Sequence, residues 1–329
     1  MGIVMLWTPI KNAILVFFSL ILFFFAIEVS LRSYERFFHK IPFFKSSIEY
    51  YDPLLGWKGK KIFDDSSENK YKIFVIGDSF TAGCGVKETS LYYGALRKRL
   101  DAALFVYGGG GYGTLQEFLA LEKYYDQVQP DLIILQVCHN DFINNSHELE
   151  SKSYFNNNNM VRPYFRNGKI EYLLPRTWGR QKMLLGSYSR VLYRLFALFD
   201  RFIALLAKKH YFGMHSIENV IRSEGKNLET FNFSINTTDI LVKKIKSKAA
   251  RTPIVAFAVD NMEPYINEFR AIFKENQIIF IDGIPDLIRD KERSGDRLRL
   301  KDNSHWNSEG HQIAGNFLAE ELYRLGYHK

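Results

Sequence analysis

Five short runs of the chain are apolar at successive positions rather than at alternate ones: 71–76, 104–107, 131–137, 253–259 and 278–281. A strand with one wet face alternates apolar and polar residues, so these runs predict strands of a parallel sheet covered on both sides. Between or after them, apolar positions recur at helical spacing over 92–100, 114–125, 238–250, 264–275 and 308–325. The alternation predicts an α/β fold: a doubly wound, flavodoxin-like sheet of five parallel strands with helices on both faces. Ligands of such sheets bind at the carboxyl ends of the strands.

Three stretches fall outside this rhythm. Residues 10–31 are mostly apolar, and from 13 to 27 the one exception is Ser19. A helix of about 20 such residues crosses a bilayer. Glu28 and Arg32 at one edge and Lys11 and Asn12 at the other can reach the interface. A cleaved signal peptide is the competing reading. The long aromatic apolar run, with no clean small-residue cleavage site after it, favours an uncleaved anchor. Residues 33–68 read as a linker whose aromatic patches, Trp57 among them, pack on the body or lie at the membrane interface. Residues 145–235 read as an insertion, with one amphipathic helix over 183–209 placing Arg190, Arg194 and Arg201 near one face. Packing on the body is the first expectation for that helix; a membrane surface or a wall of the substrate cleft are the others.

Composition narrows the class. At 47% hydrophobic and 16% aromatic residues, the chain has ample material for a core. The net charge of +8 comes without zinc-finger spacing or RNA-binding signatures, so no nucleic-acid partner is expected. Lys243, Lys244, Lys246 and Lys248 read as a solvated helix face. Two cysteines, Cys84 and Cys138, make no disulfide framework, and packed thiols are the default while a bond between them stays open. No metal-binding motif appears, and neither metal nor cofactor is expected.

The chemistry lies in four separated segments. Gly77-Asp78-Ser79-Phe80 and Asp302-Asn303-Ser304-His305 offer a serine nucleophile, a histidine base and an aspartate to orient it. The glycine run Gly108 to Gly111 and Asn140-Asp141 offer a backbone N–H and an amide for an oxyanion. Taken alone, Ser79 could simply cap a helix, and the Asp302–His305 pair could be a surface charge pair before one. Together the segments point to acyl transfer on an ester carbonyl. In order and spacing they resemble the SGNH (GDSL-type) hydrolases, as do the extensions through Val86 and through Trp306 to His311.

The resemblance covers roughly 70–145 and 250–328. It implies catalytic Ser79, His305 and Asp302, with an oxyanion hole of Ser79, Gly111 and Asn140 and a structural His311. Two departures stand out: Cys138 where the family usually has glycine, and Val106 where block two commonly opens with asparagine. Cys138 bears on pocket size, and His139 is either a substrate contact or a structural histidine. The organisation expected is an anchor over 1–32, a linker over 33–68 and a hydrolase domain over 69–328. Flanking charges would place the body in the cytoplasm by the positive-inside rule, whereas the resemblance implies an extracytoplasmic body acting on envelope material. Three functions follow: an esterase acting on an acylated small molecule or glycan, an O-acyltransferase using the same residues (with Trp306 fitting its Asp-x-x-His-Trp segment), or an anchored scaffold without catalysis.

Overall fold

The computed structural model describes residues 2–39, 43–44, 51–64, 70–209 and 216–327. Its strands are β1 (Tyr51–Asp52), β2 (Gly56–Trp57), β3 (Lys60–Phe63), β4 (Lys72–Gly77), β5 (Ala103–Gly108), β6 (Leu132–Val137), β7 (Arg162–Arg166), β8 (Lys169–Leu173), β9 (Ile254–Ala258) and β10 (Ile279–Ile281). Six of them form one sheet in the order β10-β9-β6-β4-β5-β3. The five expected strands are all there and all parallel. The sixth, β3, runs antiparallel along the edge, pairing Phe63 with Phe105. It lies inside the stretch expected to be linker. Its four residues, two of them lysines, are too short and too polar for a periodicity argument, and lysines are what an edge strand tolerates.

The helices before β6 are α1 (Gly2–His39), α2 (Ser79–Ala82), α3 (Tyr92–Leu100) and α4 (Thr114–Val128). Between β6 and β9 come α5 (Asn140–Asn144), α6 (His147–Lys152), α7 (Thr177–Tyr188), α8 (Arg190–Lys209), α9 (Ile217–Glu224) and α10 (Glu229–Ala249). The chain ends with α11 (Tyr265–Glu275), α12 (Ile284–Arg293) and α13 (Ser308–Arg324). Two cores sandwich the sheet. One face carries Phe74, Ile76, Ile133 and Leu135 under Phe118 and Leu119 of α4 and Leu241 and Ile245 of α10. The other carries Val75, Ile134 and Phe257 under Leu96 of α3 and Leu318 and Leu322 of α13. Each large apolar side chain so buried contributes about 1.5–3 kcal/mol, which is why the strands read as unbroken apolar runs.

Strand order positions the site. From β4 the chain steps outward to β5 and then returns to β6 on the other side of β4. The loops after β4 and β6 therefore diverge and open a crevice at the carboxyl edge, between Ser79 and Asn140.

The insertion is more elaborate than the one amphipathic helix expected over 183–209. Ser189 adopts extended backbone and splits that stretch into α7 and α8. Its hydroxyl accepts from the Leu192 N–H and donates to Glu28, so the break is a cap. The apolar face of α8 is turned outward instead of onto the body. Arg201 has its side chain outside the described set. Helix α1 is long and apolar enough to cross a membrane over Ile10–Phe38, and none of that window is buried.

Candidate active site

The turn after β4 is built by crowding. Gly77 ends the strand beside Gly108 of β5. A Cβ on Gly77 would lie 2.4 Å from Thr81 Oγ1 and 2.5 Å from Gln136 Oε1, so only glycine lets α2 fold back over the strand end. Gln136 Oε1 accepts from the Asp78 N–H at 3.1 Å and from the Thr81 hydroxyl at 2.8 Å. Asp78, not Ser79, caps the helix, its carboxylate accepting from the Phe80 N–H at 3.0 Å. That leaves the Ser79 hydroxyl free for another partner.

The partner is His305. Its Nε2 lies 2.9 Å from Ser79 Oγ, and its Nδ1 lies 2.6 Å from Asp302 Oδ2. Asp302 also draws its own loop closed, Oδ1 accepting from the backbone N–H groups of Ser304 at 2.9 Å and His305 at 3.1 Å. Partial burial opposes ionisation of Asp302, but those N–H groups and the imidazole outweigh it and bring the carboxyl down to about 2. Asn307 caps α13, its side chain accepting from the N–H groups of Glu309 and Gly310. Phe80 packs on the imidazole with ring centroids 5.1 Å apart. With Nδ1–H donating to Asp302, Nε2 is the acceptor aimed at the serine hydroxyl, which is what proton removal from Ser79 requires.

Asn140 opens α5, and its amide donates to Asn144 Oδ1 at 2.9 Å and to the Tyr112 carbonyl at 3.3 Å. The second bond joins it to the glycine loop; an oxyanion would compete with Tyr112 for that proton. Gly111 has φ +73°, a left-handed conformation suited to glycine, and its carbonyl is held by Arg162 at 2.7 Å. Beneath these loops lie buried acids. Burial pushes Asp78 up to about 6, and burial with mutual repulsion pushes Glu117 and Asp141 well above the carboxylate range. His311 is buried against Phe80, Tyr92 and Trp306. Burial, with the charge of His305 adding to it, brings it down to about 3.

The sequence profile of the GDSL-like lipase/acylhydrolase family matches residues 75–313. The chain belongs to this family. Solved structures similar to this acylhydrolase include the psychrotrophic esterase EstA from Pseudoalteromonas sp., at 11% identity and TM-score 0.43, covering 78% of this chain and 99% of that one. Another is the lipase/acylhydrolase from Enterococcus faecalis, at 10% identity and TM-score 0.41, covering 77% and 96%. Comparison with curated protein sequences returned no match.

Several residues that shape the acylhydrolase site have no signature in the sequence. Arg162, almost fully buried on β7, donates to the Gly111 carbonyl and, at 3.3 Å, to that of Asn144. It also pairs with buried Glu150 at 3.0 Å. Trp57, from the stretch read as linker, donates to the Gly110 carbonyl at 3.1 Å and receives the Tyr112 hydroxyl on its own carbonyl at 2.6 Å. Asp260, just past β9, accepts from the Cys138 thiol at 3.1 Å and from His139 Nδ1 at 2.7 Å. These three groups lie within 4.8 Å of one another, a spacing that could hold a metal ion. Both donors already converge on one carboxylate oxygen, so hydrogen bonding alone accounts for the cluster. Cys138 is buried, Cys84 is exposed, and both are free thiols. Trp306 is fully buried and packs on Phe80, away from solvent.

Proposed function

We propose that this acylhydrolase is a membrane-anchored serine esterase that removes small acyl groups, acetyl foremost, from a carbohydrate or similar envelope ester. The unbroken hydrogen-bond chain from Ser79 through His305 to Asp302, at 2.9 and 2.6 Å, is the observation that carries the reading. His305 Nε2 takes the hydroxyl proton as Ser79 Oγ bonds to the ester carbonyl carbon, and Asp302 stabilises the imidazolium. The oxyanion accepts from the Ser79 and Gly111 N–H groups and the Asn140 amide, each worth on the order of 3 kcal/mol. Collapse breaks the bond to the alcohol oxygen, which leaves with the proton from His305. Water, deprotonated by the same imidazole, then releases the acid from acyl-Ser79 and restores the hydroxyl.

The long exposed apolar helix α1 supports anchoring, with the catalytic domain outside the cytoplasm as the family resemblance implies. The carbohydrate substrate rests on the family resemblance and on that location. Turnover of an acetyl-ester reporter by the full chain in detergent, lost in Ser79→Ala, is the expected result. A burst of one acyl group without turnover would instead identify an acyl-enzyme awaiting an acceptor hydroxyl, and so a transferase. Failure of both turnover and Ser79 labelling by a serine-directed phosphonate would leave the scaffold reading in their place.

A further inference from the structure

Helix α8 turns its apolar face to solvent. Leu195, Leu198, Phe199, Phe202 and Leu206 recur at helical spacing and so share one stripe. All five are exposed, from 40% at Leu206 to 59% at Leu198. A helix on the surface of a soluble domain turns such a stripe inward. Here Phe196 and Ile203, on the flank of the stripe, are half-buried, while α8 packs on α7 and α1.

A polar clamp sets where α8 begins. Glu28 of α1 accepts from the backbone N–H groups of Arg190 at 2.9 Å and Val191 at 3.0 Å and from the Ser189 hydroxyl at 2.9 Å. Glu35 pairs with Arg190 at 2.7 Å and Arg194 at 3.3 Å. Arg32 ties Glu28 at 2.6 Å to the Tyr188 carbonyl at 2.8 Å. Glu28 is the first residue after the apolar run that ends at Ile27. From Ile10 to Ile27 a helix rises about 27 Å, close to the ~30 Å hydrocarbon thickness of a bilayer. The start of α8 is therefore level with the end of the apolar part of α1. Exposed aromatics lie near that level: Tyr188 and Tyr193 beside the α7–α8 break, and Tyr34 about 9 Å further along α1. Aromatic side chains favour this headgroup depth.

We infer that α8 is a second membrane element, lying in the lipid interface with the stripe of Leu195, Leu198, Phe199, Phe202 and Leu206 against the acyl chains where α1 leaves the bilayer. The inference rests on the proposed anchoring by α1. Its argument is continuity: the exposed stripe adjoins an exposed apolar helix through a clamp that holds both at one depth. The body is then attached at two points instead of swinging on one tether.

The test uses the full chain in phosphatidylcholine–phosphatidylglycerol vesicles, with Cys84→Ser and one new cysteine bearing an environment-sensitive fluorophore. Leu198→Cys samples the stripe, Phe17→Cys the middle of α1, and Arg293→Cys the exposed surface of the body. Lipids with a doxyl quencher high on the acyl chain are expected to quench the Leu198 and Phe17 labels several-fold more than the Arg293 label. Quenching at Phe17 without Leu198 overturns the inference and leaves α1 as the anchor. Quenching at neither overturns both. A Leu198 label shielded from water, unquenched by lipid and crosslinking to a second copy assigns the stripe to self-association and also overturns it. Leu198→Glu with Phe202→Glu, read from a Leu195→Cys label, is expected to lower quenching to the Arg293 level while hydrolysis of a soluble acetyl ester is unchanged. Undiminished quenching in that variant counts against the stripe.

Discussion

Two histidine–aspartate pairs stand on the same edge of the sheet, and only one reaches a serine hydroxyl. In the first, Asp302 holds His305 by Nδ1, which leaves Nε2 facing the Ser79 hydroxyl at 2.9 Å. In the second, Asp260 holds His139 by Nδ1 at 2.7 Å, and the neighbouring Cys138 thiol donates to the same carboxylate oxygen. That thiol also lies 3.6 Å from His139 Nδ1, but this nitrogen is already bonded to Asp260, so the carboxylate is the acceptor. Burial, with the Asp260 charge adding to it, pushes the thiol well above its ordinary range, the reverse of activation. Identical histidine–aspartate pairs thus face a serine hydroxyl in one place and tie down a thiol in the other. Both imidazoles spend Nδ1 on the carboxylate; the distinction lies in the third group, which meets Nε2 of His305 in one pair and the Asp260 carboxylate in the other.

The most demanding test is to remove each relay in turn. Ser79→Ala and His305→Ala should each lower kcat/KM for an acetyl ester by about 10⁴ or more, and the double variant should be little worse than either. His305→Ala activity within tenfold of the parent would mean that His139 can serve, and the comparison would collapse. Next, Asp302→Asn should cost on the order of 10²–10⁴ in kcat, while Asp260→Asn should change it less than about threefold. Equal losses in the two would show that Asp260 reaches the chemistry.

A stability effect comes third. Arg162→Met leaves Glu150 buried without its cation and should destabilise the fold by about 3 kcal/mol in chemical denaturation. Pairing it with Glu150→Leu should restore most of that loss; no restoration would mean that the Arg162 bonds to the Gly111 and Asn144 carbonyls matter more than the ion pair.

The smallest effect is in pH dependence. Burial works against charge on both members of the second pair, yet their mutual attraction raises His139 above its ordinary 6.5 and lowers Asp260 from 3.8 to about 2. For the raised histidine, stabilisation is complete below about 6.5 and disappears as pH rises through its folded value. For the depressed aspartate, stabilisation is present above about 3.8 and disappears as pH falls through about 2. Asp260→Asn should therefore lower Tm most between those limits and flatten the decline on the alkaline side. Asp302, held at about 2, stays ionised well into acid, so its own protonation should not set the acid limb of kcat/KM.

Much of the site was legible because its chemistry is local. Glycines at 77 and 108, the Asp78-Ser79 turn and the three-residue step from Asp302 to His305 are short-range requirements, so they leave a written pattern. The five parallel strands were legible for a similar reason, since burial on both faces demands unbroken apolar runs. Arg162, Trp57, Gln136 and Asp260 were not. Trp57, Gln136 and Asp260 act across more than 50 residues of chain, as does the Arg162 bond to Gly111, and no spacing rule links Trp57 to Gly110 or Asp260 to His139. β3 escaped because an edge strand needs neither length nor two apolar faces. The outward stripe of α8 escaped because amphipathic spacing says that a helix has an apolar side without saying what covers it.

By itself, then, the sequence determined the residue types able to attack an ester, the parallel core that carries them and an apolar helix long enough for a bilayer. Tertiary structure decided that Asp78 rather than Ser79 caps α2, that His305 rather than His139 meets the Ser79 hydroxyl, and that Glu28 reaches across to cap the start of α8. The physical reason is range. Backbone sterics and burial act on neighbours and repeat along the chain, whereas a hydrogen bond is chosen only once folding has brought its two ends within about 3 Å.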